Sequence, residues 1–574
     1  MKRSGARLLI EGIKAEGTKV VFGFPGGVVI PIFDALYGER GLRLVLTRHE
    51  QGAVHAADGY ARSTGQVGVC IVTSGPGATN TVTGLATANF DSVPLVVFTG
   101  QVSRNMIGND AFQEADIVGI SRSVTKHNYL VTDRKDLGRI IREAFYIART
   151  GRPGPVLVDV PKDVLTECSD DVLPQTVSIR GYNPVYTPQP ARVREAAEAL
   201  ANAKKPLFYL GGGVNIAGAA ELFGAVQKIV DVPTASSLMG ISALPSAHPR
   251  FLGMIGMHGT YAANTAVQNC DLLFAVGARF DDRATGDLSK FAPHASVVQI
   301  DIDPASIDRN VPVAIPIVGD ARRVLEDLLP HLRRPRHDEW IATTDDWKAA
   351  HPLADIPGNG RLSPTAVLRA ISAAFPDAIV TTEVGQHQMW TAQYYDFHRP
   401  RTFLTSGGLG TMGYGFPAAI GAQLGNPDRR VIDIAGDGSI QMNIQELATA
   451  VSERLPVIVA IMNNGYLGMV RQWQELFYDK HYSGVCLERD PDCDPDCAHP
   501  DENCPAYAPD FVKLAEAYGA AGIRVTVEGE IQAALAEAKR ITRRPVFIDF
   551  RIEREANVWP MVPAGAGIHE MMNA

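Results

Sequence analysis

The chain has 574 residues, too many for one hydrophobic core, and a prior of roughly 150 residues per domain suggests three or four. Its 46% hydrophobic and 20% charged residues fit an ordinary soluble globular protein, while a formal net charge of −9 argues against a general nucleic-acid binder, which would show a basic face. Its longest apolar runs are too short to span a bilayer and residues 1–20 lack a signal peptide's apolar stretch, so the expectation is a cytoplasmic protein with no membrane partner.

In chain order the pattern is strand, turn, helix, repeated. Residues 19–24 run into Pro25-Gly26-Gly27, and 67–73 run into Ser74-Gly75-Pro76-Gly77 and a small-residue helix from Ala78. Two more short Val-rich runs follow at 94–99 and 155–160. Continuous apolar runs alternating with helix-length segments imply a parallel sheet covered on both faces. Residues 168–189, rich in Pro, Ser, Thr and Asp, read as a linker. A second unit opens with an amphipathic helix near 191–203, the run 206–210 and Gly211-Gly212-Gly213, and continues with strands at 271–276 and 296–302. A polar connector is expected over 333–360. The third unit holds strands at 378–382, 430–435, 457–462 and 544–551. The expected architecture is α/β, three doubly wound domains with mainly parallel sheets over 1–168, 190–332 and 361–555, and no demonstrable sequence repeat.

Two separated segments carry the chemistry. Gly436-Asp437-Gly438-Ser439 closes one strand-like run, and Asn463-Asn464 closes the next, with Asn464 27 positions after Asp437. Both fall at carboxyl ends of strands, where open α/β sheets bind ligands. A carboxylate, an amide oxygen and glycine-opened backbone suit Mg²⁺, which keeps waters and takes phosphate oxygens as further partners. Gly438 and Ser439 are expected to open a helix whose N-terminus favours a phosphate. Taken singly, Asp437 reads as a helix cap and Asn463-Asn464 as a turn; the combination favours a metal site. Glu50, in Arg48-His49-Glu50-Gln51-Gly52-Ala53, is alone only an acid in a first helical turn.

These segments resemble those of acetohydroxyacid synthases, also called acetolactate synthases, within the thiamine-diphosphate enzymes. The likeness runs nearly end to end. It includes Phe24-Pro25-Gly26-Gly27, Thr73-Ser74-Gly75-Pro76-Gly77, Ala111-Phe112-Gln113-Glu114, Gly151-Arg152-Pro153-Gly154-Pro155, Glu383-Val384-Gly385-Gln386-His387 and the stretch 405–415. Gly256-Met257-His258-Gly259 and Arg279-Phe280-Asp281-Asp282-Arg283 resemble the FAD-binding middle domain of the biosynthetic enzymes, a flavin that the catabolic ones lack. Gln472-Trp473-Gln474 resembles their substrate-selecting segment.

The resemblance implies decarboxylation of pyruvate on thiamine diphosphate and ligation of the two-carbon unit to pyruvate or 2-oxobutyrate, in branched-chain amino acid biosynthesis. It implies that Glu50 shares a proton with the cofactor's pyrimidine ring, that Met412 props the bent cofactor, and that the Gly410 carbonyl receives the ring's amino group. Gln386, His387, Gly438 and Ser439 match further cofactor positions, and Asp437, Asn464 and Tyr466 the Mg²⁺ positions. Arg283 would hold the acceptor's carboxylate and Trp473 would wall its alkyl group, while Gln113, Gly27 and Lys162 match other active-site positions. Arg152, Gly213, His258, Arg279, Asp281, Asp301 and Asp320 would line a structural FAD site. The implied assembly is a homodimer or homotetramer, with a separate small regulatory subunit as a further partner.

Two other readings stand beside this one. A non-catalytic FAD-binding scaffold is disfavoured by Glu50, Asp437 and Asn464. Another thiamine-diphosphate lyase, such as a pyruvate oxidase or 2-oxo acid decarboxylase, is disfavoured by Arg283 and Trp473. Two departures from the family stand out. Ser103 stands where many relatives carry proline, on the substrate-channel side. Cys486, Cys493, Cys497 and Cys504 form an acidic, Pro-rich insert with spacings of 7, 4 and 7 positions. That cluster reads as a flexible or redox-active loop, with a structural metal as the lesser alternative. The remaining cysteines, Cys70, Cys168 and Cys270, read as free thiols.

Overall fold

The computed structural model describes residues 2–334, 337–489, 491–493, 504–505 and 509–573. Three six-stranded sheets organise them, and neighbouring strands within each sheet run parallel. The first has the spatial order Arg43–Leu46, Val20–Phe24, Gly68–Val72, Leu95–Gln101, Pro155–Pro161, His127–Leu130. The third runs Phe403–Leu404, Ile379–Thr382, Val431–Gly436, Ile458–Asn463, Val546–Arg551, Ala521–Val525. Counted in chain order within each sheet, both read 2-1-3-4-6-5. The middle sheet runs Phe251–Met254, Thr234–Ser236, Pro206–Leu210, Leu272–Val276, Ser296–Asp301, Ile315–Val318, which is 3-2-1-4-5-6, the order of dinucleotide-binding sheets.

Apolar clusters cover both faces of each sheet, which is why the central strands are buried along their length and read as unbroken apolar runs. The first and third units also pack on each other through the helices Glu50–Thr64 and Gly415–Gly425. A Cβ on Gly59 would lie 2.1 Å from the Ala418 carbonyl oxygen, so the close approach of the two backbones depends on glycine there. A buried network stitches the same seam. Arg62 donates to Asp58 at 2.5 Å, to Asp91 at 2.9 Å and to the Thr405 carbonyl at 2.9 Å, and Tyr414 Oη donates to Asp58 at 2.7 Å. Among the described residues no helix is long and apolar enough to cross a membrane.

Two local expectations fail. The segment 333–360 is not all connector, because Asp338–Ala350 is a helix. Its charges mask two apolar anchors: Trp340 is buried, donates Nε1–H to the Pro206 carbonyl at 2.9 Å and packs edge-to-face on Trp347. Nor do Gly438 and Ser439 open an α-helix. Two single 3₁₀ turns follow instead, Ile440–Met442 and Ile444–Glu446, broken at Asn443, whose side chain donates to the Gly413 carbonyl at 2.7 Å. Of the cysteine insert, Cys497 lies outside the described residues, while Cys486, Cys493 and Cys504 are half-buried.

Candidate functional site

Asp437 and Asn464 follow neighbouring strands of the third sheet, Val431–Gly436 and Ile458–Asn463. Both line a small cavity of about 80 Å³ together with Gln386, His387, Gly438, Ser439 and Tyr466. Asp437 is buried, its Oδ2 accepts the Gly465 amide at 2.9 Å, and burial lifts its pKa to about 7. Asn464 Oδ1 accepts the Tyr466 amide at 3.1 Å. Burial lowers His387 to about 3, so its ring is neutral, and its Nε2 is buried with no partner. A buried carboxylate is favoured in its charged form beside a cation, and the unpartnered imidazole nitrogen is a donor or acceptor in waiting. Carboxylate, amide oxygen and imidazole therefore fit Mg²⁺ against a diphosphate. Among the described residues no group of three His, Cys, Asp or Glu side chains could hold a metal, and this oxygen-poor pair needs phosphate and water to complete it.

Beside it lies a cavity of about 870 Å³. Val384, Gly385, Met412, Met469 and Val470 line both, so the two spaces adjoin. The large cavity is lined by every residue assigned above to the flavin: Arg152, Gly213, His258, Arg279, Asp281, Asp301 and Asp320. Gly213 sits at the point where the middle sheet's strand order reverses; a Cβ there would lie 2.7 Å from the Gly277 Cα, and Gly277 has φ +58°. Two backbones thus meet at a crevice of the kind that receives a dinucleotide. Asp301 is raised to about 6 by burial, and Asp320 caps the helix Ala321–Leu328. Gly410, Arg283 and Trp473 line the same cavity. Arg283 is 63% exposed, with Asp282 only loosely paired at 3.8 Å, so its guanidinium fork is open to a ligand. Trp473 is half-buried and stacks edge-to-face on Phe477.

Glu50 begins the helix Glu50–Thr64 and is buried. Its Oε2 accepts Asn80 Nδ2 at 3.0 Å, and Oε1 lies by Gly77, where a Cβ would come within 3.3 Å. Gln113, at φ +58°, rests on the same turn: a Cβ on Gly75 would meet the Gln113 backbone carbonyl at 2.9 Å. Gly26, next to Gly27, packs on Thr73, whose hydroxyl is buried without a partner, as is that of Ser74. Glu50, Gln113 and the Gly27 turn are therefore one cluster at the carboxyl end of the first sheet.

Three protein-family models match the chain: "Thiamine pyrophosphate enzyme, N-terminal TPP binding domain" over residues 3–120, the central domain over 193–328, and the C-terminal TPP binding domain over 383–550. It is similar to the acetolactate synthase large subunit of Corynebacterium glutamicum, at 48% identity over 100% of this chain and 90% of that protein. It is 46% identical to the acetolactate synthase isozyme 3 large subunit of Escherichia coli K12, covering 99% of this chain and 98% of the relative. The corresponding figures for the large subunit of Haemophilus influenzae are 45%, 100% and 98%. The chain belongs to the acetolactate synthase large subunits of the thiamine pyrophosphate enzyme family.

Within this chain the cluster around Glu50 and the metal cavity are separate places. Glu50, Gln113, Gly27 and Lys162 line neither cavity, and Lys162 is exposed at the start of the short helix Lys162–Thr166. Sequence reasoning also missed supporting residues. Asn80 was legible only as a lone amide in a small-residue segment. Glu383 was quoted in a motif without a role: it is fully buried and accepts the amides of Gly413 and Phe416 at 2.6 and 3.1 Å, holding the loop that presents Met412. Burial raises its pKa against the pull of those amides, and its charge in turn helps to raise the buried Asp433 carboxyl.

Proposed function

We propose that the two cavities and the Glu50 cluster are halves of one carboligase site, completed when the first unit of one chain meets the third unit of a second copy. The activity served is thiamine-pyrophosphate-dependent acetolactate synthesis in branched-chain amino acid biosynthesis, with pyruvate as donor and pyruvate or 2-oxobutyrate as acceptor. Units spanning 1–168, 190–332 and 361–555 carry it. One observation carries the two-chain reading: the carboxylate that matches the family's proton-handling group lines neither cavity of its own chain. Exposed apolar side chains flank both halves and support it. Ile30, Leu46 and Phe112 lie beside Gly27, Glu50 and Gln113; Leu409, Met442 and Val470 lie beside Gly410, Asp437 and Trp473.

Thiamine diphosphate, when bound, supplies the electron sink for decarboxylation and carbon–carbon bond formation. The chain's residues bind, orient and handle protons. Asp437 and Asn464, with Tyr466, would hold Mg²⁺, and His387, Gly438 and Ser439 the diphosphate. Asn80 fixes Glu50 Oε2, leaving Oε1 to hold or release a proton. Met412, steadied from below by Glu383, lies between the two cavities as an apolar prop. Arg283 presents two donors to the acceptor carboxylate, and Trp473 bounds its alkyl group. FAD would occupy the large cavity, held by Arg152, Arg279 and the dinucleotide crevice, in a structural role. The relatives are named as large subunits, which supports a separate small subunit as partner, and the low cysteine content supports a cytoplasmic location.

Mixing two inactive variants tests the shared site. Glu50→Gln chains combined with Asp437→Ala chains should regain acetolactate formation, because one of two sites in each mixed pair combines an intact first unit with an intact third. Subunit exchange without any return of activity would overturn the two-chain site.

A further inference from the structure

Glu446 ends the second 3₁₀ turn after Asp437 and is buried. Its carboxylate does not serve its own unit's cavities. It crosses to the first unit, where Oε1 accepts the backbone amides of Arg48 at 3.0 Å and His49 at 2.9 Å. Oε2 accepts the Arg48 amide at 3.2 Å and the Thr449 hydroxyl at 2.7 Å. His49 is the N-cap of the helix Glu50–Thr64, and its Nδ1 accepts the Gln51 amide at 3.1 Å. The amides held by Glu446 thus belong to the turn that launches Glu50. The first amides of a helix have no partner within it, and a carboxylate at that end both satisfies donors and meets the positive end of the dipole. Gly52 makes room for the arrangement: a Cβ there would lie 2.5 Å from Glu446 Oε1.

A buried carboxylate is destabilising unless its oxygens are hydrogen-bonded, and here the backbone donors are the two residues that immediately precede one catalytic group. We infer that Glu446 is a positioning residue for Glu50, fixing from the third unit the direction in which that carboxylate leaves the first sheet. Because the two 3₁₀ turns join Glu446 to Asp437, it also ties the metal loop of one site to the proton-handling group of the other. That inter-site half rests on the shared site proposed above; the positioning half stands on the contacts within one chain.

The test compares Glu446→Ala and Glu446→Gln in the full chain. Glutamine keeps an oxygen for the Arg48 and His49 amides and can donate to the Thr449 hydroxyl, so it should restore what alanine loses. In cofactor-free protein, amide hydrogen exchange over residues 48–52 should rise in the alanine variant by roughly two- to thirtyfold, the equivalent of a lost cap, with the strand Val431–Gly436 unchanged. After reconstitution with thiamine diphosphate and Mg²⁺, kcat should fall roughly ten- to a hundredfold, as for a misplaced catalytic group, while KM for pyruvate barely moves. Unchanged exchange at 48–52, or an equal loss in the glutamine variant, would overturn the assignment. If the alanine chain fails to fold, Gly52→Ala strikes the same contact from the first unit, and normal exchange with normal kcat there would overturn it equally. The exchange readout needs neither cofactor nor a second chain, so it stands apart from the complementation experiment, whose failure would remove only the inter-site half.

Discussion

The first and third units share one strand order, 2-1-3-4-6-5, and each opens its crevice between its first and third strands, yet they load that crevice differently. In the first, the loops after Val20–Phe24 and Gly68–Val72 are glycine turns, and the working carboxylate, Glu50, sits at a helix start with one side-chain partner, Asn80. In the third, the corresponding strands end in the Gly385–His387 segment and Asp437, whose carboxylate faces a cavity with an unpartnered imidazole. Topology places a crevice; the residues at the strand ends decide what it does. One unit is arranged to move a proton and the other to hold a charged group.

The largest effect should come from the proton side. Glu50→Gln keeps size and the bond from Asn80 but cannot exchange a proton, so kcat should fall by about 10²–10⁴-fold with thermal stability and flavin content unchanged. Near-normal acetolactate production would erase the distinction between the units. Asp437→Ala should act on binding first. Mg²⁺ and thiamine diphosphate affinity should weaken together, by at least the roughly 10–100-fold typical of lost support at a metal site, with partial rescue by excess of both. Calorimetric titration showing unaltered affinity would place the metal elsewhere.

Trp473→Leu probes the middle ground, since Trp473 borders the large cavity but belongs to neither carboxylate. Removing part of an apolar wall alters discrimination between a methyl and an ethyl group by about 1–3 kcal/mol at most. The ratio of 2-aceto-2-hydroxybutyrate to acetolactate in a competition assay should fall by tenfold or more, within that bound, while acetolactate formation from pyruvate alone persists. An unchanged ratio would move selectivity to other lining residues.

Strand ends were readable from sequence because each buried strand is an apolar run stopped by a polar or glycine residue: Asp437, Asn464 and Gly213 all lie where the pattern stops. The residues around the central sheet's crevice came instead from the family resemblance, because a Gly-Gly-Gly after a strand marks a tight turn as readily as a ligand site. What escaped depends on contacts distant in the chain. Glu446 looks like any acid before a helix until its oxygens are seen on Arg48 and His49, nearly 400 positions away. Asp338–Ala350 carries enough charge to pass for a connector, because its large apolar anchors are only two tryptophans. The turn after Ser439 failed for a similar reason: Asn443 bonds to Gly413, across 30 positions, and that bond overrides a local helical reading.

The smallest effect is a pH dependence that separates the two units once more. Burial raises Asp437 to about 7 when no metal neutralises it. Metal binding needs the carboxylate, so below about pH 7 a proton competes and Mg²⁺ affinity should fall by roughly tenfold per pH unit; above it, affinity should be flat. Linkage gives the matching sign for stability. The folded-state pKa lies above that of the unfolded chain, so Asp437's contribution is fully present below the ordinary carboxylate range and is lost as pH rises through about 7. Cofactor-free protein should therefore lose stability over that interval, and saturating Mg²⁺ with thiamine diphosphate should cancel Asp437's share of the loss, leaving that of Glu446. His387, lowered to about 3, stays neutral in the folded chain and adds no slope to Mg²⁺ affinity; in stability it works in the opposite sense, because the unfolded imidazole binds protons below about pH 6.5 that the folded one does not. Glu446, also raised to about 7 by burial, keeps an oxygen for the Arg48 and His49 amides in either protonation state, so its titration should leave both kcat and Mg²⁺ affinity nearly flat. Asp437→Asn makes the separation sharp: the slope in Mg²⁺ affinity should vanish, and a slope that survives that substitution would assign the titration to a group other than the third unit's carboxylate.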